Sequence, residues 1–131
     1  MTGEPDPVAS DAFRFDRIDH VQLALPRGAE SEAVAYFVGV LGMTQLPKPE
    51  PLASRGGCWF RAGAIVLHLG VEEPFRPAKK AHPALVVDGI DALAERLDSA
   101  GYAVRWDHEL PGVRRFHTDD PWGNRIEIIA S

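Results

Sequence analysis

The alternation of apolar and polar positions predicts two amphipathic helices. Between residues 30 and 42, apolar side chains recur at the three- and four-residue spacing of one helix face, and the same spacing is found between residues 88 and 101. The two apolar stripes comprise Ala33, Tyr36, Phe37, Val40 and Leu41 in the first helix and Ile90, Leu93, Ala94 and Leu97 in the second. Gly42 and Gly101 follow the stripes, and glycine readily ends a helix because it tolerates the left-handed conformation.

Eight shorter apolar stretches, bounded by turn-forming residues, predict β-strands. They cover residues 18–25, 43–46, 58–62, 64–71, 82–87, 103–109, 113–118 and 125–130. Between the last two, the sequence DPWGN places Pro121 and Gly123 at positions suited to a tight hairpin turn. The Pro- and Gly-rich residues 47–57 predict a loop.

The order of these elements repeats: strand, helix and three strands occur twice. His20 and His82 begin corresponding strands 62 residues apart (82 − 20). His68 and Glu127 lie in the last strand of each half, 59 residues apart (127 − 68), which is also the separation of the two helix-ending glycines (101 − 42). Matching offsets of this kind indicate an internal duplication.

The duplication predicts one α+β domain at residues 16–131, built from two βαβββ modules. The first module is predicted at residues 16–72, a linker at 73–81 and the second module at 82–131. Residues 1–15, which are acidic and contain proline, are expected to form a flexible tail. A chain of 131 residues with 45% hydrophobic content suits a single compact domain.

In four of the predicted strands, the alternation places one polar residue of a type that can bind metal on the face opposite a strongly apolar one. His20, His68, His82 and Glu127 are these residues, and four such strands around one cavity would bring them together. Three imidazoles and one carboxylate suit a divalent ion such as Zn²⁺, Fe²⁺, Co²⁺, Ni²⁺ or Mn²⁺. Taken singly, each is more often a hydrogen-bonded core or surface residue, so the hypothesis of a metal site depends on their equivalent places in the repeat. His108 and His117 have no counterpart and are expected at the surface or behind the ligands.

Composition narrows the function classes. The formal charge of −5 and the scattered basic residues argue against nucleic acid as a partner. A single cysteine, Cys58, excludes an intrachain disulfide and fits a reducing cytoplasm, where we expect it to be a small buried hydrophobe. The N-terminal residues do not resemble a signal peptide, and no apolar run is long enough to span a membrane, so no membrane association is expected.

Four stretches, IDHVQLAL, YFVGVLGM, HPALVV and DPWGNRIEII, together with the paired modules, resemble the vicinal oxygen chelate superfamily. This superfamily includes glyoxalase I, extradiol dioxygenases, and fosfomycin- and bleomycin-resistance proteins. The resemblance covers about residues 16 to 131. It implies that the curved mixed sheets form a barrel-like cavity with one divalent metal ion inside, and that His20, His68, His82 and Glu127 are the ligands. It also implies a homodimer, in which ligands come either from one chain or from two.

The resemblance implies a glyoxalase-type lyase or isomerase that acts on a small oxygen-chelating substrate by stabilising an enolate or oxyanion. Glu127 is then both ligand and catalytic proton shuttle. Glyoxalase I commonly has a carboxylate where this chain has His68, which speaks against glutathione-linked activity. The alternatives are an extradiol-type dioxygenase using His20, His82 and Glu127, and a metal-free binding protein for small molecules such as antibiotics. Candidate substrate-binding residues, chosen by strand position and chemistry, are Gln22, Trp59, Arg61, Trp106 and Arg115.

Overall fold

Each half of the chain forms a four-stranded mixed sheet, as the repeat predicts. The computed structural model describes residues 12–131, so most of the predicted tail at 1–15 lies outside the described residues. The first half comprises β1 (Val21–Leu25), α1 (Glu30–Val34), β2 (Thr44–Leu46), α2 (Glu50–Ala53), β3 (Cys58–Ala62) and β4 (Ile65–Val71). The second comprises β5 (Ala84–Val87), α3 (Ile90–Ser99), β6 (Arg105–Asp107), β7 (Arg115–Asp119) and β8 (Arg125–Ala130).

The two sheets have the same topology. Their strand orders are β1-β4-β3-β2 and β5-β8-β7-β6. In each sheet the first and last strands of the module pair in parallel, and the other pairs are antiparallel. Gln22 is thereby placed opposite His68, and Ala84 opposite Glu127. The α+β fold of two βαβββ modules is confirmed.

The first helix departs from the regular α-helix that its apolar spacing predicts. Beyond α1 the chain continues as a π-helical segment, Ala35–Val40, in which the amide of Leu41 donates to the carbonyl of Tyr36. Tyr36 and Phe37 are nevertheless buried, as predicted. A π-turn differs from an α-turn by a single residue, so the spacing of a few apolar positions does not separate the two. The predicted loop at 47–57 likewise contains one helical turn, α2, which starts just after Pro49.

The apolar faces of both sheets pack under the helices and form one continuous core. It contains Leu23, Leu25, Phe37, Phe60, Leu67, Leu69, Leu97, Phe116, Ile126 and Ile128. The opposite face of each sheet carries polar side chains, as the strand alternation predicts. Of the helices at residues 12–131, none has the length and apolar character needed to cross a membrane.

Asn124 joins the two halves. Its buried side-chain amide donates to the carbonyl of Ala24 in β1 (2.8 Å) and to Asp120 (2.7 Å). Its amide oxygen accepts from the backbone of Ala78 in the segment between the modules (2.9 Å). The predicted hairpin turn before β8 is formed, with the amide of Gly123 donating to the carbonyl of Asp120. The turn therefore positions β8 and ties it to β1.

Candidate functional site

The polar face of the first sheet carries a stack of three rings. Trp59 and His68 lie directly opposite each other on β3 and β4, and their rings stack with centroids 4.1 Å apart at 4°. His20, just before β1, stacks on the other side of His68 at 3.8 Å and 18°. The Nδ1 atom of His20 lies 2.9 Å from a carboxylate oxygen of Asp19. Burial, followed by the repulsion of His20, lowers the pKa of His68 below its usual value.

This ring stack lines an open cavity of about 810 Å³ over the first sheet. Gln22, Trp59 and Arg61, all predicted as substrate-binding residues, are among its walls. Two further cations, Lys48 and Arg55, also line the cavity. The arrangement combines an aromatic wall with several positive charges, which suits a small ligand that bears an anionic group.

The polar face of the second sheet carries a second cluster, centred on Glu127. Its Oε1 atom lies 3.0 Å from Nε2 of His82 and 3.8 Å from Nε2 of His117. One potential ligand atom from each of the three residues lies within 4.8 Å of the other two. Nε2 of His82 donates to the carboxylate of Glu127, and its Nδ1 atom lies 2.9 Å from the carbonyl of Lys80.

Arg115 balances the charge of this cluster. Its guanidinium donates to Oε2 of Glu127 (3.0 Å) and to Asp107 (3.1 Å). Burial alone would raise the pKa of Glu127, but the hydrogen bonds from His82 and Arg115 outweigh it and hold this pKa below its usual value. Burial lowers the pKa of His117. At neutral pH the cluster therefore presents a carboxylate and a neutral imidazole.

The structure brings the four predicted ligands together in two pairs. His82 contacts Glu127 on the second sheet, and His20 stacks on His68 on the first. Within residues 12–131, the group of ligand atoms that gathers around Glu127 includes neither His20 nor His68. The two faces thus remain separate half-sites in a single chain.

Trp106 and His117 differ from what the sequence suggests. Trp106 pairs with Phe116 and lies on the apolar face of its sheet, with the guanidinium of Arg114 over its ring, so the structure does not bring it to the cluster that contains Arg115. His117 is 8% exposed and lies beside Glu127 in the cluster. Its signal in the sequence is the two-residue alternation in RRFHT, which places it on the same face as Arg115.

The donor set of the second sheet fits a divalent cation. Two imidazoles and one carboxylate are the usual ligands of borderline metals such as Zn²⁺ and Fe²⁺. Two carboxylates, Glu127 and Asp107, face one guanidinium, so these three groups together carry a net negative charge. Both the ligand chemistry and the charge therefore favour cation binding.

Comparison with solved structures confirms the fold. The chain is 47% identical to a protein described as a glyoxalase family member from Bacillus anthracis, with a TM-score of 0.88 and coverage of 92% of this chain and 99% of that one. Two more distant structures show the fold alone. The fosfomycin resistance protein FosX from Listeria monocytogenes is 12% identical (TM-score 0.73, coverage 90% and 95%), and an antibiotic-binding protein from a Streptomyces species is 22% identical (TM-score 0.69, coverage 91% and 98%).

A curated sequence relative is matched over only a small part of its length. Gamma-glutamyl phosphate reductase from Methylocella silvestris is 32% identical over 88 residues, or 67% of this chain. The matched part is 19% of that protein, so this chain spans about a fifth of the relative's length. The family model, in contrast, matches residues 17–128, nearly the whole of both modules. The two βαβββ modules and the polar sheet faces with their His and Glu side chains agree with this match. The chain therefore belongs to the Glyoxalase/Bleomycin resistance protein/Dioxygenase superfamily.

Proposed function

We propose that this protein is a divalent-metal-dependent enzyme, a glyoxalase-type lyase or isomerase acting on a small oxygen-chelating substrate. The observation that carries the proposal is the contact between His82, two residues before β5, and Glu127 in the paired strand β8, whose ligand atoms lie 3.0 Å apart. His20 and His68 are proposed as the ligands from the first sheet. A bound divalent ion would supply electrostatic stabilisation of negative charge developing on the chelated substrate.

Glu127 is proposed as the residue that moves the proton. Arg115 holds its Oε2 atom, which leaves Oε1 directed at the imidazoles of His82 and His117. The low pKa of Glu127 keeps it ionised and able to accept a proton at neutral pH. Arg115 thus orients the proton acceptor. Its guanidinium is already paired with two carboxylates, those of Glu127 and Asp107.

The two half-sites support a homodimer as the working form. His20 and the Glu127 cluster lie on different sheets, and the cavity over the first sheet is open in the single chain. Exposed apolar side chains lie beside them: Val86 in β5 is 59% exposed, and Ile18, just before His20, is 79% exposed. We propose that a second copy covers these faces and completes the site, with a small molecule as substrate and the cytoplasm as location.

A specific observation also favours a second candidate, an extradiol-type dioxygenase. His82, His117 and Glu127 are two histidines and one carboxylate, the ligand set of many non-haem iron oxygenases. Oxygen uptake with catechols after loading with Fe²⁺ supports this candidate. Turnover of thiol–aldehyde adducts or other α-hydroxycarbonyl compounds under anaerobic conditions supports the lyase or isomerase.

The test of metal dependence is the metal content of protein purified without chelators, followed by activity after reloading. We expect uptake of one divalent ion per chain and loss of turnover in Glu127→Gln, which keeps the shape of the side chain but removes its charge. The matched control is Glu95→Gln on the exposed side of α3, which should leave turnover unchanged. Protein that takes up no Zn²⁺, Ni²⁺, Fe²⁺ or Mn²⁺ but binds an antibiotic would instead be a metal-free binding protein, and the enzyme proposal would be wrong.

A further inference from the structure

We propose that His117 is a metal ligand, and that His82, His117 and Glu127 hold the metal ion within the second sheet of one chain, before the first-sheet histidines of a partner copy add to the site. The inference rests on the metal dependence proposed above, but it requires neither the reaction nor the histidines of the first sheet. His117 has no counterpart in the other half of the repeat, so only its position in the structure supports it as a ligand.

Strand pairing places the three residues side by side. His117 in β7 is the direct partner of Glu127 in β8. Ala84 in β5 is the partner of Glu127 on its other side, and His82 precedes Ala84 by two residues on the same face. Glu127 therefore stands between two imidazoles contributed by the flanking strands.

The distances are close to those that a bound ion requires. Ligand atoms at about 2.1 Å from a Zn²⁺ ion lie about 3 to 3.5 Å from each other in octahedral or tetrahedral geometry. The two histidine nitrogens lie 3.0 and 3.8 Å from Oε1 of Glu127. All three ligand atoms lie within 4.8 Å of one another, so side-chain rotations would suffice to place them around one ion.

The surroundings orient each donor. When an ion takes the place of the Nε2 proton of His82, the carbonyl of Lys80 can accept the proton on Nδ1, so the lone pair of Nε2 points into the cluster. Asp107 lies 4.0 Å from Nδ1 of His117, on the side of the ring away from Glu127. Arg115 holds both Asp107 and the outer oxygen of Glu127. Carboxylates and carbonyls behind histidine ligands are a regular feature of protein metal sites.

The first sheet lacks such a set. His20 and His68 stack face to face, and Nδ1 of His20 is engaged by Asp19. In the part of the chain that the structure describes, the three-residue group suited to a metal is the one around Glu127. The second sheet is therefore the half that captures the ion.

The experiment uses the full chain, stripped of metal by dialysis against a chelator and titrated with Co²⁺ by visible absorption and with Zn²⁺ by calorimetry. We expect one ion per chain in the wild type and in the His20→Ala/His68→Ala double variant. In His117→Ala and His117→Asn the affinity should fall by at least about 10–100-fold, the loss typical even for residues behind a ligand. The control His108→Ala removes an exposed histidine and should bind as the wild type does.

A measurement on the unmutated protein guards against misfolded variants. In NMR spectra recorded during Zn²⁺ titration, the imidazole signals of His82 and His117 should shift and saturate together at one equivalent. The inference is overturned if His117 variants keep wild-type affinity, if the His117 signal does not respond, or if the wild type takes up no metal. Intact metal binding without turnover of any tested substrate would count against the proposed reaction and leave this site standing.

Discussion

Replacing Asn124 with alanine tests how the two halves are held together. The substitution removes two donated hydrogen bonds, to Ala24 and Asp120, and one accepted from Ala78. Asn124 is fully buried, so these partners are left largely without water to replace the amide. Each lost bond or unsatisfied buried group costs about 1–1.5 kcal/mol, so we expect the free energy of unfolding to fall by about 3–4.5 kcal/mol. That is a large fraction of the roughly 5–15 kcal/mol typical of a natural domain.

The assay is urea unfolding followed by tryptophan fluorescence, at one protein concentration because the stability of the proposed dimer would depend on concentration. The matched control is Gln45→Ala, which removes a side-chain amide from an exposed position in β2 and should change the stability by less than about 0.5 kcal/mol. A loss below about 1 kcal/mol for Asn124→Ala would refute the claim that this side chain joins the modules.

Two further predictions concern backbone and charge. Gly57→Ala should lower the melting temperature strongly, because Gly57 has φ +86° and a Cβ there would lie 2.1 Å from the carbonyl oxygen of Leu69. In the control Gly63→Ala, no atom lies within 4 Å of the added Cβ, so only the strain of the left-handed conformation, about 1–2 kcal/mol, destabilises the protein. Equal losses of melting temperature in the two variants would contradict the steric reasoning. His68 should titrate by NMR below its usual pKa, and should move upward in His20→Ala. Because the folded state then binds this proton less readily than the unfolded state, stability should fall as the pH drops below about 6.5, and a normal or raised pKa would contradict this.

Much of the fold follows from the periodicity of the sequence. Spacing of apolar residues located both long helices, and the repeat ordered the strands, because burial on one face imposes a fixed period on each element. Strand ends were less predictable: β5 begins at Ala84, although the apolar run starts at His82. Pro83 has no amide proton to donate to a sheet, which accounts for the later start.

The candidate site was predictable only in part. The repeat singled out His82 and Glu127, which are in contact. The repeat did not predict His117 as a ligand. A comparison of equivalent positions detects a candidate ligand only where both modules carry one. Whether His20 and His68 meet the other pair depends on how sheets face each other across chains. Strand alternation fixes the face on which a side chain lies, but not what that face meets.

The three tryptophans give the protein a built-in set of optical reporters. Trp59 stacks on His68 in the first-sheet cavity, so its emission should respond to ligands and to protonation of that imidazole. Trp106 is partly buried against Phe116 in the second half, and Trp122 donates to Glu32 across the junction between the halves (2.7 Å). In variants that keep one tryptophan at a time, fluorescence would report separately on the unfolding of the first half, the second half and the junction between them. Three superimposable curves would mean that a duplicated chain has become one cooperative unit.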